Sequence, residues 1–272
     1  MTRFQERVLG ALTTAFLMGS LSSCSRPAAP VQTADAAFYW SAAQDRYVAG
    51  DYLKAISHLD HLLEAGNPFV SRALPMSLVL TSGTAAGYME LADYYTAGAK
   101  ANKKRALDFQ RKASDYRALA NHMVLHFAEN TKKLSLIDGD SMQLAFGPPK
   151  GNANEPVLFT QISHGMVLAQ TDEEGALELA LDRGVLFAAC RVAGAPNNLA
   201  KASEILQRGE FLVRRAKFMK AVSDLLDQDS ELYSRGKLDD TAKLAMLKQM
   251  SQDASKDADT SHTAMVMQVA GR

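Results

Sequence analysis

The chain has 272 residues, with 30 basic and 30 acidic side chains that give a formal net charge of zero at pH 7. This balance, together with the lack of a basic tract, argues against nucleic acid as a partner, because nucleic-acid binding depends on concentrated positive charge. The length is sufficient to bury a real core and fits one or two domains.

The first 24 residues have the pattern of an export signal. Arg3 and Arg7 give a positive start, and a short apolar run from Val8 to Leu21 follows. The run is too short to span a bilayer, which takes about 20 apolar residues. With the small residues after it, the pattern predicts a signal peptide, 1–23, that is removed. The segment ends in Leu-Ser-Ser-Cys at Cys24, which resembles the lipobox of bacterial lipoproteins.

The lipobox resemblance implies how the N-terminus is processed. In that family the cysteine carries acyl chains such as palmitate and becomes the first residue of the mature chain, so Cys24 is expected to hold the protein on a membrane. Ser25 follows it. In enterobacterial lipoproteins a serine there, rather than an aspartate, directs the protein to the outer membrane, which implies the periplasmic face of that membrane. The alternative is an ordinary secretory signal with an incidental cysteine.

The segment after the signal peptide is predicted to be a tether. Residues 24–35 contain Pro27 and Pro30 among small side chains, a composition typical of a semi-extended linker. With Cys24 lipidated, Cys190 is the only thiol left, so no disulfide within the chain is expected. Cys190 lies in an apolar helical stretch, which predicts a buried, inert thiol rather than a nucleophile.

Residues 36–66 form the clearest structural unit, a pair of amphipathic helices. Apolar side chains recur at three- and four-residue spacing on both sides of a turn at Gly50, and a Gly-Asn-Pro sequence ends the second helix. The unit resembles a tetratricopeptide repeat (TPR), whose 34-residue pattern places small residues where two helices touch and a proline at the end. The matching positions are Ala43, Gly50, Asp51, Tyr52, Ala55, Leu59, Leu62 and Pro68.

The rest of the N-terminal half, 36–130, is predicted to continue as two helices. The first begins at Pro75 and runs to about Tyr95, and a bend is predicted at Gly83 or Gly87. The second runs from 102 to 130 with a steady apolar stripe.

Residues 131–156 interrupt the helical pattern with glycines and prolines, so we predict a connecting loop between two helical halves. Within this loop, alternating apolar residues on both sides of Asp138-Gly139 are interpreted as a small hairpin. The alternating residues are Leu134, Leu136, Met142 and Leu144.

The C-terminal half, 157–250, is also predicted to be helical. Near its end, residues 232–244 repeat the glycine turn of the first pair and the start of its second helix. The last segment, 251–272, is predicted to be a mobile polar tail with a short apolar end. Together these elements predict an all-α fold of stacked antiparallel helix pairs, a short TPR-like α-solenoid. Three helices are predicted before the repeated turn: 157–170, 171–192 and 199–226.

The sequence contains no motif for hydrolysis, phosphate binding or dinucleotide binding, so we predict a non-enzymatic protein without a cofactor. His58 and His61 share one helix face, and His122 and His126 share another. Facing each other, the two pairs would offer ligands suited to zinc. Because neither pair has an acidic ligand at ligand spacing, we interpret the histidines as polar edges of buried stripes and predict no metal site.

Two further groups of side chains are candidates for binding. Trp40, Tyr94 and Tyr95 lie on predicted helices and are candidates to line a groove or a ligand site, with a role in the core as the alternative. Several basic residues lie along the predicted helix 102–130, between Lys103 and Arg117. They are suited to anionic lipid or to an acidic partner, and a solvated helix face is the simpler interpretation.

Residues 72–123 resemble, distantly, the T-component lipoproteins of TRAP-type solute transporters. The resemblance is carried by an Arg-Ala-Leu-Pro-x-x-Leu sequence from Arg72, by Lys104-Arg105-Ala106 and by residues 111–116, together with chain length, helical character and the lipid anchor. The C-terminal half has no match. In that family the lipoprotein is a TPR-like scaffold thought to associate with a periplasmic solute-binding protein.

Two functions are therefore expected. The first is a membrane-anchored periplasmic scaffold or adaptor that binds an envelope or periplasmic protein through the surface of its stacked helices. The second is an accessory component of a TRAP-type solute transport system, which binds a small ligand near Trp40, Tyr94 and Tyr95 or binds a solute-binding protein. An open apolar surface favours the first function, and a closed cavity lined by these aromatic residues favours the second.

Overall fold

A computed structural model describes residues 33–137, 141–145, 157–195, 210–236 and 240–270, together with Gly139, Gly147 and Glu204. This part of the chain is mostly helical, so the predicted all-α class is confirmed. The predicted signal peptide, Cys24 and most of the tether lie outside the described residues. The elements are α1 (Thr33–Val48), α2 (Tyr52–Asp60), α3 (Val70–Ala101), α4 (Ala106–Thr131), β1 (Ser141–Ala145), α5 (Val157–Ser163), α6 (Gln170–Val192), β2 (Glu210–Arg214), α7 (Arg215–Arg235) and α8 (Thr241–Ala270).

The 32-residue helix α3 lies at the centre of the fold. It packs against α2, α4, α5, α6, α7 and β1, and side chains on all its faces are buried between Ala73 and Ala85. The buried polar side chains of an enclosed helix need hydrogen-bond partners. The Thr81 hydroxyl donates to the Ser77 carbonyl at 2.7 Å, and the Thr84 hydroxyl donates to the Leu80 carbonyl at 2.8 Å. Elements from both halves of the chain therefore share one core around α3.

The predicted first helix pair is present as α1 and α2. Gly50 turns the chain with a φ of 81°, and the Asp51 carboxylate caps α2 by accepting a hydrogen bond from the backbone N–H of Lys54. The small residues Ala43 and Ala55 are fully buried, as expected where two helix backbones approach closely.

The glycines of α3 have a different role from the predicted bend. Helix α3 is continuous from Val70 to Ala101, and Pro75 lies inside it rather than at its start. A Cβ atom on Gly83 would overlap the backbone of Val185, and a Cβ on Gly184 would overlap the carbonyl oxygen of Gly83. The glycines therefore let the backbones of α3 and α6 touch.

The two strands form a ribbon between distant parts of the chain. They pair antiparallel, with Ser141 opposite Arg214 and Ala145 opposite Glu210. The predicted hairpin across Asp138-Gly139 is wrong, because Leu134 and Leu136 lie in a 3-10 turn and β1 pairs with β2 instead. The predicted helix from 199 to 226 is wrong in its extent, because β2 precedes α7.

The C-terminal segment also differs from its prediction. Helix α8 runs from Thr241 to Ala270, through most of the predicted mobile tail at 251–272. Between Thr241 and Thr260, where the structure describes the side chains, α8 buries a stripe of Leu247, Ser251, Ala254 and Ala258. These positions have helical spacing, but three of the four side chains are small, so the hydropathy pattern is weak.

We predict that Gly184→Ala lowers the free energy of unfolding by about 1–3 kcal/mol or more, because the added methyl group forces α3 and α6 apart. Urea denaturation of the two proteins measures the difference.

Gly175→Ala is the matched control on the same helix. The nearest atom to a Cβ at that position is Leu158 Cδ1 at 3.7 Å, an ordinary contact, so this change should raise stability by roughly 0.5–1 kcal/mol through helix propensity. Equal effects of the two substitutions would contradict the backbone contact.

Candidate functional site

The structure separates the three predicted aromatic residues into two hydrophobic clusters. Trp40 is buried in the main core, where it stacks on Phe69 with ring centroids 6.0 Å apart. Tyr95 belongs to a second cluster near the end of α3, and Tyr94 packs beside that cluster, stacked on Phe159 at 4.7 Å. Trp40 therefore does not lie with Tyr94 and Tyr95 in one ligand site.

Tyr95 borders a cleft between the end of α3, the start of α4 and the loop between α5 and α6. The cleft has a volume of about 30 Å³, which is room for roughly two water molecules and far below the roughly 300–1,000 Å³ of typical ligand pockets. The lining residues are Tyr95, Arg105, Asp108, Phe109, Lys112, Met166, Val167, Leu168 and Glu173.

A charged pair crosses the cleft. The Lys112 ammonium lies 5.5 Å from the centroid of the Tyr95 ring and pairs with Glu173 of α6. Burial raises the pKa of the Tyr95 hydroxyl, with Glu173 and Tyr116 as further causes. Tyr95 is therefore a neutral hydrogen-bonding group at physiological pH.

Asn102 fixes the two sides of the cleft against each other. Its side-chain amide donates to the carbonyl of Gly165 at 2.8 Å, and its Oδ1 accepts from the backbone N–H of Arg105 at 3.2 Å. Gly165 has a φ of 78°, and a Cβ there would meet the Cβ of Asn102. The junction between α3 and α4 and the loop between α5 and α6 thus form one rigid end of the molecule.

We call this end of the molecule the tip, defined as residues 100–111 together with Met166 and Val167. It carries exposed apolar side chains, with Leu107 71%, Met166 52% and Val167 55% accessible to solvent. Within the described residues, no carboxylate pairs with Lys103, Lys104 or Arg111, whereas Arg105 pairs with Asp108 at 2.5 Å. Exposed apolar groups beside free cations form the strongest candidate for a binding surface.

The histidine pairs are not assembled into one cluster. His61 stacks on Tyr39 at 4.3 Å between ring centroids, and His126 Nε2 lies 3.0 Å from the Asp60 carboxylate. Across the described ranges, no group of three His, Cys, Asp or Glu side chains is arranged to hold a metal ion. Cys190 is buried, and burial raises the pKa of its thiol to about 11.

Two buried carboxyl groups, which the sequence analysis missed, join the helices. The Tyr52 hydroxyl of α2 donates to Asp182 of α6 at 2.5 Å, and the Ser82 hydroxyl of α3 donates to Asp229 of α7 at 3.1 Å. Asp229 is fully buried, and its second oxygen has no hydrogen-bond partner in the described structure. Burial raises the pKa of Asp229 well above its usual range, although Ser82 and Arg191 lower it in part.

Comparisons with protein-family models, with curated proteins and with solved structures find no match to this chain. Among the helices that the structure describes, none is both long enough and apolar enough to cross a membrane.

We predict that Asp229→Asn makes the protein less sensitive to rising pH. Because the pKa of Asp229 is raised in the folded state, the folded protein holds a proton that the unfolded chain loses above about pH 4. The wild-type free energy of unfolding therefore falls as the pH rises from about 4 towards the raised pKa of Asp229. Asp229 contributes at most about 1.4 kcal/mol per pH unit to this fall. The stability of Asp229→Asn relative to wild type should rise with pH.

Urea denaturation between pH 4 and pH 8 checks this prediction. Glu231→Gln is the control, because Glu231 is an exposed carboxylate on the same helix. A stability difference between Asp229→Asn and wild type that stays constant over this range would show that Asp229 does not retain its proton on folding.

Proposed function

We propose that this protein is a lipid-anchored scaffold of the bacterial envelope that binds another protein through the tip. The observation that carries the proposal is that the tip exposes three large apolar side chains, Leu107, Met166 and Val167, together with cations that no described carboxylate pairs. Exposed apolar side chains that form a contiguous patch are typical of interaction sites. The chemistry of the tip suits a partner segment with an apolar anchor and acidic neighbours.

The tip lies far from the first helix pair. Helix α3 has 32 residues and is therefore about 48 Å long. The stacking of Trp40 on Phe69 places α1 beside the start of α3, whereas the tip is at its other end. A partner bound at the tip therefore need not contact α1.

The TPR-like relationship is part of this proposal for the first helix pair. Gly50, the buried Ala43 and Ala55 and the capped start of α2 support it. A solenoid needs each pair to contact only its neighbours along the chain. Because α3 contacts elements from both halves, we propose a TPR-like first pair joined to a helical bundle.

The alternative function is an accessory role in TRAP-type solute transport. Its version with a small ligand depends on a cavity at the aromatic residues, and the space beside Tyr95 is only about 30 Å³. The version in which the partner is a solute-binding protein is compatible with the tip. The scaffold proposal therefore includes a solute-binding protein as one class of partner.

Site-specific photocrosslinking in intact cells tests the scaffold proposal. A benzophenone amino acid at Val167 should give one discrete crosslinked protein, whereas the same group at Val48, an exposed valine on α1, should not. Lys103→Glu combined with Lys104→Glu should reduce the yield at Val167 at least fivefold, because two cations of the tip become anions.

Lys248→Glu, a charge reversal on the exposed face of α8 away from the tip, is the control and should leave the yield unchanged. Equal crosslinking patterns at Val167 and Val48, or a yield insensitive to the charge reversal at the tip, would reject the tip as the binding surface. Separately, a Cys24→Ala chain that remains membrane-bound would reject the anchor.

A further inference from the structure

A second cavity lies apart from the tip, between the end of α6, the first half of α7 and the middle of α8. Its volume is about 430 Å³, which is within the range of sites that hold small organic molecules. Side chains from all three helices line it, so its shape depends on the packed core rather than on one loop. The charged lining residues are Arg191, Lys217, Lys220, Asp224 and Asp259.

The cations that line this cavity differ in how far they are paired with described residues. Lys220 pairs with Asp224 at 2.7 Å, and Asp259 makes a polar interaction of its own. Arg191 is half-buried, and one of its guanidinium N–H groups donates a hydrogen bond to the backbone carbonyl of Asp224 at 3.2 Å. Lys217 has no ion pair with any described residue. Among the described lining residues, three cations and two carboxylates leave one excess positive charge.

The hydrogen bond to the Asp224 carbonyl restricts the rotation of the Arg191 guanidinium. A guanidinium that is already restricted has less rotational freedom to lose when it binds a ligand. Its remaining N–H groups form the planar fork that matches a carboxylate.

The walls between these charges are small and apolar. Ala216, Ala221 and Ala258 contribute methyl groups, and a Cβ on Gly194 would meet nothing within 4 Å. The space next to the cations is therefore open to the body of a ligand. This combination of a cationic end and an apolar wall suits a compact organic anion better than an inorganic ion, which has no apolar part to bury.

We propose that this cavity binds a small organic carboxylate, whose charged group is held by Arg191 and Lys217 and whose apolar part lies against Ala221 and Ala258. The site is independent of the lipid anchor and of the tip. None of the residues that define the tip lines the cavity.

Titration of the folded protein with benzoate, followed by amide chemical shifts in NMR spectra, tests the proposal. Benzoate should shift the amide resonances of Gly194, Ala221 and Ala258 in a saturable way. Benzamide has nearly the same shape without the charge, and it should bind at least fivefold more weakly. Inorganic phosphate at matched ionic strength has the charge without the apolar body and should also be weaker.

Substitutions identify the residues that hold the carboxylate. Lys217→Gln and Arg191→Gln should each weaken benzoate binding at least fivefold, and Lys248→Gln should have no effect. Because Lys217 is exposed and has no ion pair with a described residue, its substitution should leave the fold intact. The Lys217→Gln result therefore tests the proposal even if Arg191→Gln unfolds.

Three results would overturn the proposal. Equal binding of benzamide and benzoate would mean that the cavity does not recognise charge. If phosphate bound as tightly as benzoate, the cavity would hold an adventitious ion only. Unchanged benzoate binding in Lys217→Gln, or no saturable shift at these amides, would mean that the cavity is not a carboxylate site.

Discussion

The direct contact between the backbones of α3 and α6 determines much of this structure. It exists because glycines meet where the two helices cross, with Gly83 and Gly87 on α3 and Gly184 on α6. A contact this close fixes the rotation of α6 as well as its distance, because the glycine faces must point at each other. The contact therefore fixes the direction in which the side chains next to Gly184 point. These side chains then meet specific partners on neighbouring helices.

Several other interactions follow from that orientation. Asp182, two residues before Gly184, reaches the Tyr52 hydroxyl and ties α2 to the core. On α3, Ser82 precedes Gly83 and meets the buried Asp229 of α7. At the far end of α3, Gly98 lets the carbonyl of Ile162 approach, so the loop after α5 reaches Asn102. The tip and the cavity at the end of α6 are therefore positioned by the same pair of helices.

The sequence predicted structure well where the hydrophobic pattern of a single segment was sufficient. The turn at Gly50, the helices α1 and α2 and the long stripe of α4 follow from three- and four-residue spacing within one segment. The glycines of α3 were misinterpreted because a bend and a helix crossing need the same residue type, and the partner Gly184 lies about a hundred residues away. The pairing of β1 with β2 and the small-residue stripe of α8 were missed for similar reasons.

The candidate site was only partly predictable. Tyr95 was identified and lies at the cleft, but Trp40 is a core residue, because an aromatic side chain on a helix has the same pattern in either role. Met166 and Val167 were missed, although two apolar residues that directly follow Gly165 in a loop are a signal for an exposed apolar surface. The charges around Arg191 come from three helices, so no spacing in the chain reveals them.

The ribbon of β1 and β2 has a consequence for the order of folding. It joins 141–145 to 210–214 and so closes a loop that contains α5 and α6. Closing a long loop costs entropy before its contacts reward it, whereas α3 and α4 are adjacent in the chain and meet early. We therefore expect helix α6 to dock on a surface that α3 and α4 have already formed. The pairing of β1 with β2 is then expected late in folding.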